Sequence, residues 1–278
     1  MWTELDDPRG KAKAALREIA INSGTNNETF VAELRSTINQ HKLAQNPSRR
    51  AMLKGEYSIE KLKWAHLEYR HAIVQIFTDA LTSAQFNAYQ LEEKSLVPRG
   101  GKMIPRFLLN LNNLDEFGFR PGTDKAGYYQ GNPAYAHYPL FEKLLDAFKI
   151  TDADIAAFEP SIFAQRARNY LLDTFKTFDE AITLIAVGEV QVILFSNPLR
   201  VNSKIQGIDT DVGYYQVHGT EEHGAVDAND DDHEDDCWAI LRMCLRPSDY
   251  GRIKSLAIGY LDIWDDFWYN IHKASVSL

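Results

Sequence analysis

Cysteine is almost missing from this chain: two occur in 278 residues, Cys237 and Cys244. They stand seven apart at helical spacing, on one face, which predicts a buried pair of reduced thiols and no disulfide. Nothing resembling CxxC occurs. A basic excess is absent too. The formal net charge is −9, whereas nucleic acid and anionic membranes require clustered Lys and Arg, so neither is expected as a partner. Long hydrophobic runs are lacking, and the longest, Ala181 to Val187, is far too short to span a bilayer. Met1 is followed by polar, charged sequence rather than the apolar core of a secretory signal. A cytoplasmic protein is the simplest expectation. There is no internal repeat, no strand-period run of weight, and no low-complexity stretch other than an acidic one.

What is present is helical periodicity on an ordinary globular composition, 45% hydrophobic and 25% charged. Residues 10–22 carry Ala12, Leu16, Ile19 and Ala20 at helical intervals, and a second helix carries Phe30, Leu34 and Ile38. Ser58 is placed to cap a long helix whose stripe is Leu62, Ala65, Tyr69, Ile73, Phe77 and Ala80. His137 opens a helix through Phe148. Residues 178–195 form an apolar helix that Asn197-Pro198 is expected to kink or end. A final helix, 248–273, bears an aromatic seam of Trp264, Phe267, Trp268 and Ile271, suited to core or to a homodimer contact. The fold class is all-α: one helical domain over residues 1–278, with N-terminal helices in 1–50 and core helices in 57–82, 178–196 and 214–245.

Between Tyr215 and Cys237 the chain holds three histidines and nine carboxylates, with no Lys or Arg. Burying such charge needs compensating cations, which a divalent metal supplies most compactly. Imidazoles among the carboxylates point to iron, manganese or zinc rather than magnesium or calcium. An EF-hand is excluded: Asp227, Asn229 and Asp231 keep its first spacings, but the turn glycine is missing and Trp238 replaces the bidentate acid. The competing reading is a solvated acidic loop with incidental histidines. Elsewhere, Glu189 sits inside the apolar helix, where a carboxylate costs several kcal/mol unless paired or metal-bound. Glu68 and His71 lie one turn apart on the long helix. Three separated helices therefore offer ligands. A carboxylate-bridged pair of irons takes about six of mixed carboxylate and imidazole type from facing helices.

From about residue 28 onward the chain resembles the haem-oxygenase-like diiron oxidases and oxygenases, the iron-containing redox enzymes. The resemblance rests on Glu68-Tyr-Arg-His71, on Asn112-Asn-Leu-Asp-Glu-Phe-Gly118 leading to His137-Tyr-Pro-Leu-Phe141, and on Glu189 late in an apolar helix. Tyr215-Gln-Val-His218 and Asp230-Asp-Asp-His233 add to it, and Trp264-Asp-Asp-Phe267 follows at a family-like distance. It implies Glu68 and His71 from the first core helix, Glu189 from the second, and a His-x-x-x-Asp-x-x-His set from the third. The third helix departs from that pattern, because four residues before Asp230 stands Val226. Asp230 and His233 are the expected ligands, with the remaining imidazole from His218 or His223. The register His223-x-x-x-Asp227-x-x-Asp230 is the alternative. The resemblance further implies two Fe(II) ions per chain, O2 as co-substrate, and an amino acid or derivative as substrate. N-oxygenation, desaturation and carbon–carbon cleavage are the implied reactions, with Glu68 and Glu189 catalytic and a role in specialised metabolism. Arg70, Arg166 and Arg168 are candidate partners for a substrate carboxylate, and Tyr69, Tyr214 and Tyr215 for the lining. Two other readings compete: a metal-free enzyme on the same scaffold, thiaminase-like or quinone-cofactor-synthase-like, and a non-enzymatic acidic protein that binds divalent cations.

Overall fold

The computed structural model describes residues 7–22, 27–218 and 230–275. Its helices are, in order, α1 (Pro8–Asn22), α2 (Glu28–Asn39), α3 (Pro47–Leu53), α4 (Ile59–Tyr69), α5 (Phe77–Asn87), α6 (Tyr89–Glu93) and α7 (Met103–Glu116). After them come α8 (His137–Ala147), α9 (Asp152–Ala157), α10 (Ile162–Leu172), α11 (Phe178–Ile205), α12 (Tyr214–Val217), α13 (Asp230–Cys244) and α14 (Tyr250–Lys273). A small antiparallel hairpin, β1 (Phe119–Thr123) with β2 (Tyr129–Gly131), joins α7 to α8. Sequence periodicity missed this hairpin because its residues are mostly exposed and bury no apolar face. The architecture is otherwise all-α.

Apolar side chains run around most of α11, so other elements must surround it, and α13, α14, α3 and α5 do. It is the one described helix long and apolar enough to cross a membrane, and 83% of its apolar window is buried within the fold. Its hydropathy therefore serves the core. Pro198 does not end it. Lacking an N–H, Pro198 leaves the Leu194 carbonyl without a helical donor, and Arg49 Nε donates to that oxygen at 2.9 Å. The seam on α14 packs inward: Trp268 lies flat on Phe195 at 4.2 Å, and Trp264, Phe267 and Ile271 are buried with it. Core, rather than a dimer contact, is what uses these side chains.

The long helix expected from Ser58 starts as predicted, with Ser58 Oγ accepting from Lys61 N at 3.2 Å. It is then interrupted by a π turn over Arg70–Val74. There the Gln75 N–H reaches back five residues to the Arg70 carbonyl, while the Ile76 N–H bonds Ile73. The His71 carbonyl, left over by this change of register, accepts from Arg168 Nη1 at 2.9 Å. The core segment expected over 214–245 is two helices, α12 and α13. On α13 the acids find protein cations: Asp236 meets Arg9 at 3.2 Å and Lys13 at 3.0 Å, and Arg35 meets Glu234 and Asp235. Much of this acidic cluster is thus compensated by α1 and α2 without a metal.

Candidate metal centre

The sequence Asn112-Asn-Leu-Asp-Glu-Phe-Gly118 ends α7 and turns the chain back on itself. Gly118 adopts φ +79°, and its carbonyl accepts from Asn132 N at 3.1 Å across the loop. A Cβ at this position would stand 2.5 Å from Ala136 N and 2.6 Å from Asn132 O. Only glycine permits that approach. It delivers His137, the first residue of α8, to Glu116, the last of α7, with His137 Nδ1 at 3.0 Å from Glu116 Oε1.

His218 joins them from the end of α12. Its ring stands edge-on to His137 at 4.5 Å and near Tyr214 at 4.3 Å. The short helix is anchored from below by Tyr215, whose hydroxyl donates to His66 Nε2 at 2.6 Å. His66 Nδ1 is 2.6 Å from the Leu62 carbonyl, which can only accept, so the neutral ring carries its proton on Nδ1. Burial holds the His66 pKa down to about 4, against a smaller raising effect of the Leu62 bond. Glu116, His137 and His218 are all buried, and they can bring one ligand atom each within 4.8 Å of one another. Burial pushes the Glu116 carboxyl up, but hydrogen-bonded His137, with His218 and His233, outweighs it. The acid settles below the ordinary carboxylate range.

Beside this trio, Glu189 of α11 accepts from Asn112 Nδ2 at 3.2 Å, and His233 Nδ1 of α13 lies 3.9 Å from Glu189 Oε1. The far nitrogen of the same ring, Nε2, is 3.6 Å from Asp115 Oδ2. Glu116, His137, His218 and Glu189 face one small cavity of about 20 Å³, walled by Ile73, Val74, Phe77 and Val192 with Tyr69, Tyr138 and Tyr214. That is room for one water-sized group.

Two buried carboxylates and three imidazoles converge here, and no Lys or Arg is among the described residues lining the cavity. The Oδ1 of Asn112, next to Glu189, is buried and has no hydrogen-bond partner among the described residues. Anionic oxygens gathered out of water, with no Lys or Arg in the described lining, are the condition that a metal ion relieves. A mixed imidazole and carboxylate set suits iron, manganese or zinc. The residues fit such a group.

Three expected ligands are brought together: Glu189, His218 and His233. Glu68 and His71 are not. Glu68 is buried at the start of α10, accepting from Ser161 N at 3.0 Å and Ser161 Oγ at 2.7 Å. Burial raises its pKa against those bonds. His71 is half-buried in the π turn, its pKa lowered by burial and by Arg168 and Arg70. The reason is rotational. Tyr69 and Ile73 hold the azimuth that faces the cavity, whereas Glu68 is turned to Ser161 at the start of α10, and neither Glu68 nor His71 is among the described lining residues. Tyr69 lines the site as expected, but Arg70 is engaged by Glu142 at 2.7 Å and by the Tyr138 hydroxyl at 3.1 Å. Tyr215 turns its hydroxyl to His66, and Tyr214 faces the cavity instead. Arg168 serves the π turn, and Arg166 meets Asp266 at 3.4 Å on the surface. His223 and Asp227 lie outside the described residues, as does the side chain of Asp230, the first residue of α13. Glu116 and His137 are the residues that reading for ligands missed. The signal was present in the Asn112–Gly118 motif and its His137-Tyr-Pro continuation.

No protein-family model matches the sequence, and no curated protein matches it. Among solved structures the chain is similar to a CADD-like protein of unknown function from Nostoc punctiforme. One crystal structure of that protein, at 2.00 Å, superposes with a TM-score of 0.60 at 15% identity, covering 89% of this chain and 99% of the other. A second, at 1.35 Å, gives 0.57 at 12% identity over the same shares. Likeness at this level of identity is likeness of fold, and it agrees with the helical architecture found here.

Proposed function

We propose that this chain is a non-haem diiron enzyme that uses O2 to oxidise a small organic substrate. The buried meeting of Glu116, His137 and His218 beside Glu189 and His233 carries this reading. These five would hold the metal, and bound iron supplies the redox chemistry for an oxygenation or desaturation. The side chains do the rest. Glu116 stays ionised because three imidazoles surround it, so it is available as an anionic ligand at neutral pH. Asn112 fixes the orientation of Glu189. Ile73, Val74, Phe77 and Val192 keep bulk water from the donors and present an apolar face to the reacting part of the substrate. A substrate larger than one water-sized group has to displace part of that wall, and the π turn carrying Ile73 and Val74 is its least regular element.

The lining also bears on the substrate. With Arg70 bonded to Glu142, a free amino acid finds no cation among the described lining residues for its carboxylate. An amino-acid derivative that directs an apolar portion into the cavity suits it better. A thiol nucleophile of the thiaminase kind is disfavoured, since burial raises the pKa of both Cys237 and Cys244 well above the usual thiol range.

Anaerobic loading with Fe(II) followed by exposure to O2 tests the proposal. The expected result is iron near two per chain, consumption of O2, and loss of both in Glu116→Ala but not in Glu68→Ala. Iron at background in the wild type, or equal iron in wild type and Glu116→Ala, overturns it.

A further inference from the structure

We infer that Asp115 is the positioning residue of this centre: its carboxylate takes the Nε2–H of His233 and thereby commits Nδ1 to the metal beside Glu189. The inference rests on the metal-centre reading above. It begins with helical spacing. Asn112, Asp115 and Glu116 stand at i, i+3 and i+4, on one face of the last turn of α7. Each meets a different member of the site. Asn112 Nδ2 is 3.2 Å from Glu189 Oε1, Asp115 Oδ2 is 3.6 Å from His233 Nε2, and Glu116 Oε1 is 3.0 Å from His137 Nδ1. One turn of helix thus touches residues from α11, α13 and α8.

His233 is buried between two acids, with a ring nitrogen toward each. A neutral imidazole has one N–H and one lone pair, so the two acids cannot play the same part. Their surroundings separate them. Glu189 faces the cavity it shares with Glu116, His137 and His218, whereas Asp115 lies outside that lining and keeps 24% of its side chain exposed. The Nδ1 to Oε1 distance of 3.9 Å is too long for a hydrogen bond. Two donors gripping one ion at about 2.1 Å each in tetrahedral geometry stand roughly 3.4 Å apart, so a closure of about 0.5 Å brings this pair to a shared ion. On the other edge, 3.6 Å is a small side-chain rotation from an N–H···O bond to Asp115. A carboxylate behind a ligating histidine fixes both the tautomer and the ring plane. In this role Asp115 does not itself bind metal.

Cobalt(II) titration of wild type, Asp115→Ala and Asp115→Asn tests this, together with 15N shifts of the His233 ring in the metal-free protein. Asp115→Ala is expected to weaken Co(II) binding about 10- to 100-fold at unchanged stoichiometry. Asp115→Asn, whose Oδ1 still accepts, recovers most of that loss. In the metal-free wild type the His233 proton resides on Nε2, and this preference fades in Asp115→Ala. Should the alanine variant fold poorly, the isosteric asparagine and the ring shifts still decide. Unchanged affinity and tautomer in both variants make Asp115 a surface charge and overturn the inference. Loss of one metal per chain with an altered ligand-field spectrum makes it a ligand and overturns it too. Equal, negligible binding by wild type and Glu116→Ala would instead sink the metal-centre reading beneath it.

Discussion

Replacing Gly118 with alanine tests whether the close backbone approach between α7 and α8 builds the site. Two costs are separable. The first is conformational: at φ +79° an L side chain is strained by about 1–2 kcal/mol. The second is steric. The new Cβ would lie 2.5 Å from Ala136 N, so the opposing strand of the loop must retreat by roughly 0.9 Å to reach ordinary contact at 3.4 Å. Ala136 is bonded directly to His137. A displacement of that size opens the 3.0 Å separation of His137 Nδ1 and Glu116 Oε1 toward roughly 4 Å, beyond hydrogen-bond range. The variant is therefore expected to lose about 2–4 kcal/mol of stability, strain and overpacking together, and to bind Co(II) or Fe(II) about 10- to 100-fold more weakly. Gly207→Ala is the matched control. Gly207 has φ +85° with nothing within 4 Å of the added Cβ, so it incurs the strain alone and leaves metal binding unchanged. Urea unfolding of the metal-free proteins reads the first cost, and metal titration reads the second. If Gly118→Ala and Gly207→Ala bind metal equally well, the loop closure does not position His137 and the reasoning fails.

Acid should unfold this protein partly through His66. Its folded pKa of about 4 lies below the unfolded value of 6.5, so the unfolded state binds the extra proton. Stability is full above pH 6.5 and falls by about 1.4 kcal/mol per pH unit down to about pH 4, roughly 3 kcal/mol in all. A His66→Phe variant that keeps the wild-type slope across that window would refute the assignment. Arg49→Met strands the Leu194 carbonyl and is expected to cost about 1–3 kcal/mol. In a Pro198→Ala background the restored N–H should shrink that penalty, and additive losses in the double mutant would show that the two groups do not share this oxygen. Metal at a hundredfold excess over its Kd should raise the wild-type unfolding free energy by about 2.7 kcal/mol. The shift should be much smaller in Glu189→Ala, and equal shifts would remove Glu189 from the ligand set.

Glu189 was legible because its signal is thermodynamic and local: a carboxylate inside an apolar helix must be compensated, whatever the fold around it. His218 and His233 were legible as imidazoles in an acidic segment. Glu116 and His137 were harder. Their motif was visible, but the aperiodic Gly- and Tyr-rich connection between them gives no sign that the chain doubles back, and the positive φ of Gly118 is a property of the folded loop. Glu68 and His71 show the converse limit. Spacing of three says that two side chains share a helix face, and says nothing of where that face looks. The π turn then changes the register from Arg70 onward, which no apolar stripe announces.

The acids of α13 carry the lesson further. Asp236 and Glu189 are both 2% exposed, and as buried carboxylates both need compensation. Asp236 is answered by Arg9 and Lys13, cations more than two hundred residues away in the chain that no local pattern connects to it. Glu189 has an amide from Asn112 and the imidazole of His233 close by, in a cavity with no Lys or Arg among its described lining. A sequence reveals which charges need compensation, whereas the identity of the compensating group is a tertiary fact. The contrast between these two acids is therefore the sharper argument for a metal: Asp236 on α13 faces α1 and meets its Arg9 and Lys13, whereas Glu189 on α11 has the amide of Asn112 and the imidazole of His233 beside a cavity whose described lining holds no Lys or Arg.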